Sequence, residues 1–186
     1  MPQSHIGRKL HEQAEIAREK GQLQEALIFT DQATLAYQND GDLLGLAEIQ
    51  SSRQNTFKHL FRQTHDPVFL KLEKHSAEAA VEIAQKSNLA EALAIPYHNL
   101  GKYYFEAKDW KNAVKYFKLA VENLISNPPQ KHNRPAIIAD IKGHLHTAEY
   151  QSGDKSALAK ALDALKVLEN SDEDSYNKNV WLSGAH

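Results

Sequence analysis

The feature that most constrains this 186-residue chain is a recurring skeleton of small residues. Ala26-x3-Thr30-x2-Ala33, Ala113-x3-Phe117-x2-Ala120 and Ala157-x3-Ala161-x2-Ala164 share it, and Glu73-x3-Ala77-x2-Ala80 is a degenerate fourth copy. A second set of marks, Leu46-Ala47, Leu93-Ala94 and Ile138-Ala139, falls between the copies. The closing alanines at 33, 80, 120 and 164 are 40 to 47 residues apart. Small side chains at three- and four-residue intervals make a narrow strip on a helix, against which a neighbouring axis can come close. One helix pair cannot bury such a strip alone, so successive pairs must stack.

The segments between the marks carry helical periodicity. Leu10, Ala14 and Ala17 share a face, and after Gly21 so do Leu23, Ala26, Leu27, Thr30 and Ala33. Gly21, Gly41 and Gly153 can adopt the left-handed conformation that ends a helix. Asp66-Pro67 reads as an N-cap followed by a first-turn proline. Asn88-Leu89-Ala90-Glu91 has the spacing of a capping box, with Asn in place of Ser or Thr. About eight helices result. Pro96 requires one of them to restart near Ile95 or to kink, because an internal proline costs about 3 kcal/mol. The longest loop is expected from Asn127-Pro128-Pro129 through Pro135.

At residues 94–122 the pattern becomes specific. Tyr97-His98-Asn99-Leu100-Gly101-Lys102-Tyr103-Tyr104 is followed by Asp109-Trp110-Lys111-Asn112-Ala113, then Tyr116-Phe117 and Ala120. This stretch resembles a complete tetratricopeptide repeat. Leu100-Gly101, Tyr104, Ala113, Phe117 and Ala120 match that family's pattern. Residues 10–33 resemble it more loosely, and the copies near 43–86 and 136–169 keep the spacing but little of the first-helix consensus. The period exceeds the family's ~34 residues, which implies longer helices or added turns, above all between Gln54 and Pro67. The resemblance implies an all-α fold, a right-handed α-solenoid of about four stacked antiparallel helix pairs plus a C-terminal helix or tail. The repeat domain would span 1–170, with repeats near 5–40, 42–87, 88–127 and 134–170. Residues 171–186 would form a capping helix or tail.

Composition narrows the function. The formal charge is −2, from 24 acidic and 22 basic residues, without the basic enrichment of a nucleic-acid binder. No apolar run approaches the ~20 residues that span a bilayer. Met1 to Leu10 lacks the apolar core of a secretory signal, and cysteine is absent. A cytoplasmic protein, with neither nucleic acid nor membrane as partner, is the expectation. There is no Gly-x-Ser-x-Gly turn and no glycine-rich phosphate loop, so no enzyme, catalytic residue or cofactor is expected. Ten histidines raise a metal question. No two of them stand at the i, i+4 spacing with which a helix presents paired ligands, and His144 and His146 diverge around a helix. No metal site is therefore expected from spacing, although histidines of different repeats can converge in space.

The resemblance implies a concave groove lined by the first helix of each pair, receiving a protein or peptide. By alignment its residues would be Arg8, His11, Glu12 and Glu15, then Ser51, Ser52 and Asn55. The third repeat would add His98, Asn99, Lys102 and Phe105, and the fourth Lys142 and His146. Donor- and acceptor-rich side chains suit peptide backbone and charged groups, and Phe105 suits an apolar anchor. The family's carboxylate clamp does not fit, because His11 and Glu15 stand where the first repeat would supply Lys and Asn, and Glu15 would repel a carboxylate. The remaining aromatics, Tyr97, Tyr104, Trp110, Tyr116 and Phe117, read as inter-helix packing. The expected function is a non-enzymatic protein- or peptide-binding scaffold or adaptor. The alternative is a structural repeat protein that self-associates, as a homodimer, through its C-terminal end at Trp181.

Overall fold

The computed structural model describes residues 3–127 and 135–172. The expected loop at Pro128–Pro129 and the segment containing Trp181 lie outside the described residues. Eight α-helices and no strand are found among the described residues: α1 His5–Glu19, α2 Leu23–Asp40, α3 Leu43–Thr64, α4 Pro67–Lys86, α5 Ala94–Glu106, α6 Trp110–Ser126, α7 Pro135–Gln151 and α8 Ala157–Glu169. A short 3-10 turn, Ala90–Ala92, follows α4.

Local chemistry sets the ends. Ser4, Asp42, Asp66 and Asp109 each accept a backbone N–H from the first turn of the helix they precede. Four helices close with the same paired hydrogen bonds. Gln22 N–H reaches the Ala17 carbonyl at 2.9 Å, and Asp42 to Tyr37, Asp109 to Tyr104 and Asp154 to Glu149 repeat it. The left-handed residue this closure requires is Gly21, Gly41 and Gly153 in three cases and Lys108 in the fourth. The capping-box reading of Asn88–Glu91 is corrected. Asn88 has φ 56° and lies just past the end of α4, while α5 starts only at Ala94. Pro96 thereby falls in the first turn of α5, where its missing N–H has no intrahelical partner to lose.

The chain divides into two compact units, residues 1–92 and 93–186. In the first, connections of two or three residues make α1 to α4 antiparallel neighbours in sequence. α3 packs on both α2 and α1. Its 22 residues and the 20 of α4 account for the long period: the extra length is helix, and the two arms meet far along in the Phe57–Phe69 stack, 6.3 Å between ring centres. The core gathers Ala33, Tyr37, Leu46 and Ile49, flanked by Leu10, Leu43 and Ile83.

The second unit repeats the scheme, α7 packing on both α6 and α5, with α8 against α7. One cluster joins Ala94, Ala120, Leu124 and Ile141, a second Ala113, Phe117, Leu145 and Ala148. The repeated skeleton residues form the seams, all but Ala161, which is half-buried. Ala26, Thr30, Ala33, Ala77, Ala80, Ala113, Phe117, Ala120 and Ala157 are wholly shielded from solvent, as are Ala47 and Ala94 nearly or fully.

Candidate functional site

In the first unit the polar residues of α1 and α3 meet along one strip. Positions 8, 11, 15 and 18 of α1 follow helical spacing, and each has a fixed partner. Arg8 pairs with the Glu48 carboxylate on α3 and lies 5.6 Å from the centre of the Tyr37 ring. Burial works against the Arg8 charge, but Glu48 outweighs it and leaves the guanidinium's pKa raised. His11 sits 3.6 Å from Glu15 and shares a 3.4 Å hydrogen bond with the Tyr37 hydroxyl. Burial pushes that phenol up to about 12, against the pull of Arg8. At the far end Arg18 donates to the Ser52 hydroxyl at 2.7 Å. Arg53 of α3 reaches back to Asp31 of α2.

The groove residues expected in this unit divide accordingly. Glu12 and Glu15 are exposed, and Arg8, His11 and Asn55 are half-buried on the strip. Ser51 and Ser52 are corrected from exposed to buried positions, at 8% and 4% exposure. The Ser51 hydroxyl turns back to the Ala47 carbonyl, and Ser52 holds Arg18. Arg18, Glu48 and Arg53 belong to the strip and were not among the expected residues. Their side-chain contacts join positions 22 to 40 residues apart, which no local spacing exposes.

In the second unit α5 and α7 place His98, Asp140 and His144 together. The His98 Nε2 lies 3.9 Å from Asp140 Oδ2, and His144 Nδ1 lies 3.6 Å from Asp140 Oδ1. The two imidazole centres are 5.1 Å apart, and the Phe117 ring flanks both, at 5.7 and 5.6 Å. Burial raises the Asp140 pKa, with His144 and then Lys102 drawing it back. His144 Nδ1 also lies 3.0 Å from the Asp140 carbonyl, to which it donates, leaving the lone pair on Nε2.

His98 and Asn99, expected as exposed groove residues, are buried at 7% and 8% exposure, and Asp140 and His144 of α7 lie against His98. Lys102 and Phe105 are half-buried. Phe105 is a packing residue, its ring 5.2 Å from Trp110 and part of the Phe117 cluster. Lys142 and His146 line a different feature, a hollow of about 280 Å³ between α7 and α8 with Ile138, Ala139, Lys160, Asp163, Ala164 and Val167. The helix-ending residues Lys108 and Gly153 are 45 residues apart, so Lys142 and His146 stand at the places of Tyr97 and Gly101. Tyr97 packs on the cluster that receives α7. Lys142 and His146 thus occupy the face that on α5 receives the next pair. His146 is held by Glu149 at 3.0 Å, and Lys118 reaches the same carboxylate at 3.2 Å. Burial opposes the Glu149 charge, but these two partners lower its pKa. Trp181 lies outside the described residues.

No family model and no curated protein matches this sequence. Among solved structures the chain is similar to the crystal structure of BtubC (BKLC) from P. vanneervenii, with a TM-score of 0.68 at 18% identity. The likeness covers 90% of this chain and 66% of that one, and at this identity it shows the fold alone. Among the described residues no helix is long and apolar enough to cross a membrane.

Proposed function

We propose that this protein is a non-enzymatic binding scaffold of the tetratricopeptide kind, working in the cytoplasm, that receives a protein or peptide segment on the polar faces of its first helices. The observation that supports this most is the strip from Arg8 to Arg18. Its polar side chains are already tied to α3 by Glu48 and Ser52 and to α2 by Tyr37. Side chains ordered before binding lose less entropy when a partner arrives, so a few contacts on such a strip convert more fully into affinity. Glu12 and Glu15, exposed beside these pairs, favour a segment carrying Lys or Arg. No side chain is given a catalytic role in this reading.

The test compares partners captured from the source cell by the wild type, by Glu12→Lys with Asn55→Ala, and by Leu35→Ala on the exposed face of α2. The reading expects the α1–α3 variant to lose partners that the α2 variant keeps, with helicity equal in all three. Identical partner sets for the three proteins refute the assigned face.

A second reading, self-association through the C-terminal end, is favoured by the hollow between α7 and α8 and by the exposure of Leu158, Leu162 and Val167, each near half. Light scattering on Val167→Asp and Trp181→Ala separates the two. A wild-type dimer that these changes dissociate supports self-association, and a wild type that is monomeric at high concentration excludes it.

A further inference from the structure

We propose that His98, Asp140 and His144 form a binding site for a divalent transition-metal ion of the Zn2+ class, which ties α5 to α7. One donor atom from each of the three residues lies within 4.8 Å of the other two. Tetrahedral Zn2+ with ligand bonds of ~2.0–2.1 Å holds its donors about 3–3.5 Å apart, so side-chain rotation of about an ångström closes the set. Two helices supply it. Asp140 and His144 stand at i, i+4 on α7 and face the same way, and His98 comes from α5, which packs against α7.

The donor chemistry selects the ion. Two imidazoles and one carboxylate suit Zn2+, Co2+ or Ni2+, while Ca2+ and Mg2+ prefer oxygen alone. Three protein ligands leave a fourth position for water. The surroundings shield all three donors from bulk water. The side chains of His98, Asp140 and His144 are 9%, 10% and 16% exposed, and Phe117 walls off one side. A buried carboxylate between imidazoles carries a desolvation cost that a bound cation offsets. The His144 Nδ1–H bond to the Asp140 carbonyl is the kind of outer contact that fixes the tautomer of a ligating histidine. Lys102, one turn beyond His98, also draws on Asp140, and its long stem lets the ammonium withdraw toward solvent when a metal enters.

Chelator-dialysed protein is titrated with Zn2+ by calorimetry and with Co2+ by visible absorption, which reports coordination number. The expected result is one saturable ion per chain, with the thermal midpoint raised by about 5–10 °C at a hundredfold excess over Kd. Asp140→Asn and His144→Gln each weaken binding by at least about 10-fold, since even outer-shell losses reach that size. His146→Ala, on the same helix but held by Glu149, leaves it unchanged. Should a ligand variant fail to fold, histidine side-chain NMR of the wild type with one equivalent of Zn2+ decides: shifts at His98 and His144 support the site. The proposal is overturned by the absence of saturable binding, by unchanged affinity in Asp140→Asn and His144→Gln, or by shifts confined to other histidines.

Discussion

Gly101 of α5 lies so close to the ring of Phe117 on α6 that a Cβ at the glycine would stand 2.6 Å from the ring's Cδ1. Phe117 is fully buried and has no space into which to swing. Gly143 of α7 is its opposite, since a Cβ there meets nothing nearer than Ala164 at 4.0 Å. Gly101→Ala is therefore expected to destabilise by about 1–3 kcal/mol through overpacking. Gly143→Ala should gain up to about 1 kcal/mol from helix propensity. Urea unfolding of the pair checks the contrast, and midpoints moving in the same direction would contradict the close approach.

Lys108 offers a stabilising change. Its φ of 58° puts an L-side chain in the left-handed region that Gly21 and Gly153 fill at the equivalent turns. That conformation costs a residue with a Cβ roughly 1–2 kcal/mol, and glycine returns part of this through its freer unfolded chain. Lys108→Gly should raise stability by about 0.5–1 kcal/mol net, and Gly21→Lys should lower it by a similar amount. Thermal denaturation of both variants measures the sign.

Asp42 ties two helix starts together. Its Oδ1 accepts the Gly45 N–H at 2.8 Å, capping α3, and its Oδ2 accepts the Ser4 N–H at 3.1 Å, at the start of α1. The residue is 1% exposed, so water cannot replace either bond. Asp42→Ala is expected to cost about 2–3 kcal/mol, the loss of a cap plus a buried N–H left unsatisfied. Asp42→Asn keeps one acceptor and turns a donor toward the other N–H, so it should recover only part. Hydrogen exchange at Gly45, accelerated in the alanine variant and partly restored in the asparagine one, reports this directly.

These positions show what a linear sequence carries. The seams were legible because small residues recur at fixed spacing and must face a neighbour. The ends marked by Gly21, Gly41, Gly153 and Asp66-Pro67 were legible because conformation and capping are local. Asn88 misled for a related reason: the same residue type serves at an N-cap and in a left-handed helix end, and only the chain's direction decides. The long second pair was read as added length, but that the length was helix depended on the packing of Phe57 against Phe69, which is tertiary.

The site was less legible. Glu12 and Glu15 are exposed as expected, because a solvent face follows from periodicity alone. Ser52, His98 and Asn99 were placed by alignment on an exposed face, yet neighbouring helices cover them. Burial on the inner rows of a first helix is set by the next helix, not by the helix's own pattern. The His98–Asp140–His144 cluster had one local trace, the i, i+4 pairing of a carboxylate with a histidine on α7. A search for paired histidines passes over it, and the third member is 42 residues away.

Tyr37 provides the final prediction. Its ring is fully buried between Gly7 of α1 and Gly45 of α3, where added Cβ atoms would come within 2.5 and 2.3 Å of it. Burial and the carboxylates of Glu48, Asp42 and Glu15 disfavour the phenolate, Arg8 favours it, and the balance lifts the pKa from 10.0 to about 12. A folded-state value above the unfolded one means that the native protein holds this proton more tightly. The associated stability is fully present below pH 10 and is lost as pH rises toward about 12. In a spectrophotometric titration, one of the seven tyrosines should ionise late and together with loss of helicity. Tyr37→Phe should remove that late phase and widen the alkaline limit of the fold. It should cost little at neutral pH, since the hydroxyl's bond to His11 is long at 3.4 Å. A variant that still shows a late-ionising tyrosine coupled to unfolding would place the shifted phenol elsewhere.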